Sequence, residues 1–409
     1  MVRQLPEDPK VRSLVNLLRQ QQFNRRQMLR GAGVAGASAG ALALAACSTG
    51  GSGNNGGTGG NGGNSGGIIW GNWTYYLDYD EDADTNPSLD AFIEQAGFDV
   101  KYVEDIDDNN TFYGKIKDAL KLGSFVGYDV ITMTDWMNAR IINDKQVQEF
   151  DYANLENVTN NLLDSQWDIL KEDQGRKHSI PWQLPTTGWA WNKEAFPQGL
   201  HTLDDLMHPD LKGKVQVLSE MRDTIGLIMS GQGVDPSSNW GDAEFDRAME
   251  WLTDALDSGQ INNVKGNDYT QDLETGSMLA GFVWYGDVVM MNTELDDQWG
   301  VEIPEAGGMI AADSFTVPNG TSAENKKKVE ELINYYYQPE VAAEVAAYVA
   351  YVTPVKGAQE AMGDVDETQV NNPAIFPDDA MLGRLHAFRT LTPQEDERYS
   401  SAFQKALGL

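Results

Sequence analysis

From Ile68 onward, short apolar runs alternate with stretches whose apolar residues recur every three or four positions. Ile68-Ile69-Trp70 is such a run, broken by Gly71-Asn72 and followed by Trp73, Thr74, Tyr75 and Tyr76. This predicts a buried strand with aromatic side chains at its carboxyl end, where open α/β sheets bind ligands; an ordinary core role accounts for the same aromatics equally well. Asp99–Val103, Tyr128–Met133, Val215–Leu218 and Leu279–Trp284 also read as strands. Helical spacing appears at Phe112, Ile116 and Leu120, over Trp136–Ile142, and at Phe245, Met249, Leu252 and Leu256. Ser322 is placed to cap a helix carrying Val329, Leu332, Ile333 and Tyr336 on one face, and Pro339 suits the first turn of the next. Strands alternating with helices predict an α/β architecture with mostly parallel sheets.

The pattern before Ile68 is different in kind. Residues 1–24 are polar with a faint amphipathic rhythm at Val11, Leu14, Val15, Leu17 and Leu18. Asn24-Arg25-Arg26-Gln27-Met28-Leu29-Arg30 then leads into a small-residue apolar run ending at Leu44-Ala45-Ala46-Cys47. The order of arginine pair, apolar run and Leu-Ala-Ala-Cys reads as a twin-arginine lipoprotein signal over residues 1–47, with Cys47 as the acylated residue. Residues 48–67 are almost entirely Gly, Asn, Ser and Thr. Such a segment buries no core; it reads as a tether of roughly 25 Å reach holding a folded domain off a membrane. Two motif matches carry nothing: Gly31-Ala32-Gly33-Val34-Ala35-Gly36 lies in the signal, and Gly63-Asn64-Ser65-Gly66-Gly67 lies in the tether.

Charge narrows the partners. The chain has 30 Lys+Arg against 62 Asp+Glu, a formal net charge of -32. Residues 1–47 hold seven of the basic and two of the acidic residues, which leaves 23 basic and 60 acidic residues beyond them, a net of −37. That surface repels nucleic acid and anionic headgroups and suits cationic partners, although adaptation to salt produces the same excess. Cys47 is the single cysteine, which excludes an intrachain disulfide and a thiolate zinc site. Catalytic signatures are weak. His178, His201, His208 and His386 are scattered, there is no Walker A loop, and Asp78–Asp82 lacks the glycine and terminal glutamate of a calcium loop. No cofactor or metal is expected.

What recurs instead is the pairing of aromatics or hydroxyls with carboxylates at strand ends: Trp73, Thr74 and Tyr76; Thr134-Asp135-Trp136; Glu220 and Asp223; Trp284 and Asp287; and Asp313. Aromatic faces attract ammonium groups and pack against methylene chains, while carboxylates accept charge-assisted hydrogen bonds from the ammonium. Linear diamines and polyamines present that mixture.

These segments resemble the bacterial spermidine/putrescine-binding proteins of polyamine ABC transporters. The similarity runs through Asn72-Trp73-Thr74-x-Tyr76, Thr111-Phe112-Tyr113-Gly114-Lys115-Ile116, Tyr128-Asp129-Val130 and Ser179-Ile180-Pro181-Trp182. It continues with Trp284-x-Gly286-Asp287, Glu305-Ala306-Gly307-Gly308, Asp313-Ser314, Pro318 and Thr353-Pro354. The resemblance implies a periplasmic-binding-protein-like type II fold, two α/β lobes on a hinge with the ligand between them. It places Trp73, Thr74 and Tyr76 at an aromatic clamp, Thr134 and Trp136 beside the polyamine chain, and Glu220 with Asp223 around one ammonium. Trp284 and Asp287 become a stacking wall and a further carboxylate. Tyr75 stands where an acidic residue is common, Thr134 and Trp136 replace Ser and Tyr, and Glu220 and Asp223 exchange the longer and shorter acids, so the particular polyamine stays open.

The expected protein is therefore a monomeric, lipid-anchored, extracytoplasmic solute-binding protein that binds a polyamine and delivers it to ABC permease subunits. Its lobes are drawn as residues 68–188 with 287–317, and 189–286 with 318–409. A receptor for a sugar, betaine or peptide, an exported glycosidase built on paired carboxylates, and a structural surface lipoprotein are the alternatives.

Overall fold

The structure, a computed structural model, describes residues 66–408. The expected signal, Cys47 as the expected acylation site and nearly all of the tether lie outside the described residues.

Twelve strands form two sheets among the described residues. In chain order, β1 is Ile68–Trp73, β2 Val100–Ile106, β3 Val130–Thr134, β4 Ser179–Gln183, β5 Thr186–Asn192 and β6 Val215–Leu218. They continue with β7 Ile261–Lys265, β8 Ala280–Trp284, β9 Trp299–Glu302, β10 Gly308–Ile310, β11 Asp313–Thr316 and β12 Leu385–His386. The first sheet has the order β2-β1-β3-β11-β4, and the second β12-β10-β5-β8-β6-β7 with β9 also on β5. Both are mixed rather than mostly parallel. Strands β1, β2 and β3 are parallel, but β11 runs antiparallel to β3 and β4, and β5 runs antiparallel to β8, β9 and β10. The helix-linked strands are the parallel ones; β5 and β11, which bring the chain across the first two links between the sheets, enter in the opposite sense, which periodicity does not reveal.

The first sheet is covered on two faces. Trp70 is fully buried, donates its indole N–H to Thr132 Oγ1 at 2.9 Å, and meets the rings of Tyr102, Trp182, Phe315 and Tyr336. The helices Ala323–Tyr336 and Pro339–Val349 close this core with Val329, Leu332, Ile333, Val341 and Val345. On the other face the helices Asn109–Leu122 and Asp135–Asn143 supply Phe112, Ile116, Leu120, Met137 and Ile141. Asp108 caps the first of these through Thr111 N at 2.7 Å. Pro181 is tolerated in β4 because that strand is an edge. The second sheet has its own core of Trp189, Phe282, Leu252, Val288, Trp299 and Tyr399.

The expected lobe boundaries need correction. The helix Tyr285–Glu294, β9 and β10 belong to the second sheet, since Val288, Met291, Trp299 and Met309 share its core. Residues 323–349 belong to the first sheet. An apolar stripe shows that a helix buries one face, not which sheet receives it. The lobes are thus 68–183 with 313–376, and 186–310 with β12 and the helix Pro393–Ala406.

The chain crosses between sheets at Leu184-Pro185, at Ala311-Ala312, and once more before β12. The first two crossings lie side by side: Ala311 N donates to Pro185 O at 3.1 Å, and Leu184, Ala312 and Val352 form a small cluster of their own. Paired extended links of this kind are suited to hinge motion. Next to them, a Cβ on Gly286 would lie 2.0 Å from Ala350 O and 2.7 Å from the Tyr351 ring. We expect Gly286→Ala to lower stability by about 2 kcal/mol, measured by denaturant titration, because neither backbone segment can yield without shifting.

Candidate functional site

The strand ends of both sheets meet at this junction. Strand β1 ends at Trp73, and the backbone then turns at Tyr75, whose φ of +60° is unusual for an aromatic residue and whose N–H donates to Glu104 Oε1 at 3.0 Å. The turn leaves Tyr75 exposed and drives Tyr76 inward. Tyr76 is buried, its hydroxyl donates to Asp313 Oδ2 at 2.6 Å, and its ring meets Tyr351 edge-on at 5.5 Å. Thr134, which ends β3, is the direct register partner of Asp313 and donates to Asp313 Oδ1 at 2.6 Å. Thr134 is itself fixed by the Asn109 amide at 2.9 Å. Asp313 thus receives two hydroxyl donors from the first lobe.

Two carboxylates of the second lobe are each held by two neutral donors in the same way, one of them partly from across the hinge. Asp223, in the first turn of the helix Met221–Gly231, accepts from Thr187 Oγ1 at 2.9 Å and Trp284 Nε1 at 3.1 Å. Asp287, in the first turn of the helix Tyr285–Glu294, accepts from Tyr269 at 2.8 Å and Tyr351 at 2.8 Å. All three carboxylates are held by two neutral donors, and none of them makes an ion pair with a basic side chain among the described residues. Burial pushes each carboxyl up to about 6, opposed by its two hydrogen bonds. The charge of Asp135, and after it that of Asp223, adds to the rise at Asp313, and the charge of Asp287 reaches Tyr76.

Glu220 differs. It caps its helix by accepting from Arg222 N at 3.2 Å, and its carboxylate lies 3.8 Å from the Arg222 guanidinium. Burial raises it to about 7 against that charge. Trp136 differs as well: the Arg222 guanidinium lies 3.6 Å from its ring centre. Of the residues singled out in the sequence, then, Tyr76, Thr134, Asp223, Trp284, Asp287 and Asp313 join one linked set. Trp73 and Thr74 are half-buried at the end of β1, and the indole N–H of Trp73 is buried with no partner among the described residues. Trp136 and Glu220 engage an arginine of the chain itself.

Tyr269, Tyr351, Thr187 and Asn109 were not singled out. Thr187 and Tyr351 flank the hinge crossings, and Pro185-Thr186-Thr187-Gly188 is a local sign of a strand restarting after a break. The Asp78–Asp82 run, rejected above as a calcium loop, makes local contacts: Asp78 accepts from Ser88 N at 2.8 Å and Asp80 from Asp82 N at 2.9 Å. No group of three or more metal-ligating side chains occurs among the described residues.

Residues 88–377 match the family model of the bacterial extracellular solute-binding proteins. The chain belongs to this family. Its members are binding proteins rather than enzymes, which removes the glycosidase reading. The solute-binding protein is similar to a spermidine/putrescine-binding periplasmic protein of Haemophilus influenzae, 25% identical over 299 residues that cover 73% of this chain and 79% of the relative. It is also similar to a putrescine-binding periplasmic protein of Escherichia coli, 24% identical over 354 residues covering 82% and 89%. Among solved structures, the substrate-binding protein of a spermidine/putrescine ABC transporter from Streptococcus pneumoniae matches with a TM-score of 0.69 at 21% identity, covering 84% of this chain and 99% of that one. A lipoprotein of Treponema pallidum matches with a TM-score of 0.70 at 18% identity, covering 83% and 99%. The solute-binding protein thus has the two-lobed type II periplasmic-binding-protein fold, and its family acts outside the cytoplasm. No helix among the described residues is long and apolar enough to cross a membrane.

Proposed function

We propose that this solute-binding protein is the receptor of an ABC importer for a linear polyamine of the putrescine or spermidine kind. In this reading it is a monomer held at the outer face of the cytoplasmic membrane by a lipid on Cys47, and it hands its ligand to the permease subunits. The observation that carries the reading is the treatment of Asp223, Asp287 and Asp313. Two neutral donors aim each carboxylate without neutralising it, which leaves a buried negative charge that a ligand ammonium would satisfy. Trp73, Tyr76 and Trp284 offer rings for the methylene chain and the cationic ends. The polyamine names carried by the relatives support the same ligand class. The surplus of acidic residues would raise the encounter rate with a multiply charged cation.

The test is calorimetry and thermal shift with putrescine and spermidine beside a sugar and glycine betaine. Polyamines at micromolar concentration should raise the unfolding midpoint by several degrees, and the other solutes should not. A response to the sugar or betaine with none to any polyamine would overturn the ligand class. Mass spectrometry of the membrane fraction checks for diacylglycerol on Cys47.

A further inference from the structure

The contacts of Arg222 do not belong to a simple wall of the ligand site. Trp136 and Arg140 lie on the helix Asp135–Asn143, which follows β3 of the first lobe. Arg222 lies on the helix Met221–Gly231, which follows β6 of the second. Asp396 lies on the helix Pro393–Ala406, anchored in the second core by Tyr399 and Phe403. Asp396 receives Arg222 Nη2 at 2.7 Å and, on its other oxygen, the guanidinium of Arg140 from the opposite lobe. The Arg222 guanidinium stacks over Trp136 at 3.6 Å, and that of Arg140 lies 5.5 Å from the same ring. Two arginines from different lobes thus share one carboxylate and one indole. The group is largely withdrawn from solvent: the side chains of Arg222 and Asp396 are 10% and 14% exposed. Burial pushes the Asp396 carboxyl up, but the charges of Arg222 and Arg140 outweigh it and hold the group below its ordinary value.

We propose that Trp136, Arg140, Arg222 and Asp396 form a clasp between the lobes that holds the closed arrangement, with Arg222 and Asp396 as positioning residues for ligand retention. A box of aromatic and carboxylate offered by the sequence to a ligand ammonium is filled by the chain's own guanidinium. Ligand cations are left to Asp223, Asp287 and Asp313. Arg222 immediately precedes Asp223, so opening the clasp moves a carboxylate of the ligand site directly. Buried ion pairs that favour the closed arrangement contribute to the dissociation rate far more than to the encounter rate.

This rests on the polyamine reading, and the experiment separates the two. Stopped-flow tryptophan fluorescence with putrescine is followed in the wild type, Arg222→Gln, Asp396→Asn and Trp136→Ala. The clasp requires dissociation at least tenfold faster in each variant, association within about twofold of wild type, and a Trp136→Ala/Arg222→Gln double variant no worse than the poorer single variant, since the residues act as a unit. Arg222→Lys should recover part of the loss. Unchanged dissociation in variants that bind and fold would overturn the clasp while leaving the polyamine reading intact. A wild type that binds no polyamine would overturn that reading instead. In that event small-angle scattering of the unliganded proteins still decides the clasp: Asp396→Asn must be more extended than the wild type, and identical curves sink it. Asp396→Asn carries either test if Arg222→Gln fails to fold.

Discussion

Asp287→Asn should weaken putrescine binding by about 100-fold, the largest loss expected from any single change in the site, with little cost to the fold. Asparagine has the same shape. It can accept from one of the two phenols that now donate to Asp287, Tyr269 and Tyr351, and donate to the oxygen of the other. What disappears is the negative charge. Truncating one partner of a desolvated, hydrogen-bonded charge pair costs about 2–5 kcal/mol, or roughly 30-fold and upward. The comparison with Tyr351→Phe is informative. That variant keeps the carboxylate and removes one orienting donor, worth about 1 kcal/mol, so it should lose only several-fold in affinity. Calorimetry at pH 8 gives both numbers. If the two variants lost affinity equally, the phenols and not the charge would dominate recognition.

Most of this site was legible from residue type and order. Thr134, Asp223, Trp284, Asp287 and Asp313 stand at strand ends or first helical turns, where the carboxyl edges of both sheets converge. The apolar run through Trp70 marked the first buried strand, and the turn at Tyr75 explains why Tyr76 points inward where Tyr75 does not. What could not be read was the pairing of elements distant in sequence. Asp313 meets Tyr76 across 237 positions, and Asp396 reaches Arg140 across 256. Periodicity is a local property, so the helices at 323–349 and 285–294 were drawn on the wrong lobes. Tyr269 and Tyr351 escaped for the same reason: each stands in a short turn or bend beside a longer element, and its phenol looks like core until the carboxylate it orients is known. Trp136 and Glu220 look like ligand contacts by type, and only the position of Arg222 shows that they already have a cation.

Polyamine affinity should fall steeply between pH 8 and pH 5, on the order of 1,000-fold, while the unliganded protein changes in the opposite sense. Burial places Asp223, Asp287 and Asp313 at about 6 in the free protein. A bound ammonium requires each to be ionised, and one pH unit below its midpoint a group costs about tenfold in affinity for the proton it must lose. For stability the sign is set by which state binds more protons. Unfolded, these carboxylates titrate near 4; folded, near 6. Between those values the folded state holds protons that the unfolded state has released, so stability falls as pH rises through the window. Lowering the pH from 7.5 to 5.5 should therefore relieve the cost of keeping desolvated carboxylates ionised and raise their contribution to the unfolding midpoint. Saturating putrescine should reverse the trend, because its charge stabilises the ionised carboxylates at pH 7.5 and is opposed by their protonation at 5.5. Thermal unfolding with and without ligand across this range reads both curves. A ligand-induced shift that stayed constant from pH 7.5 to 5.5 would mean that these three carboxylates do not carry the binding charge. The two curves are expected to converge toward low pH, the liganded one staying above, because the same desolvation that makes the free site unstable is what makes its ionised carboxylates strong partners for an ammonium.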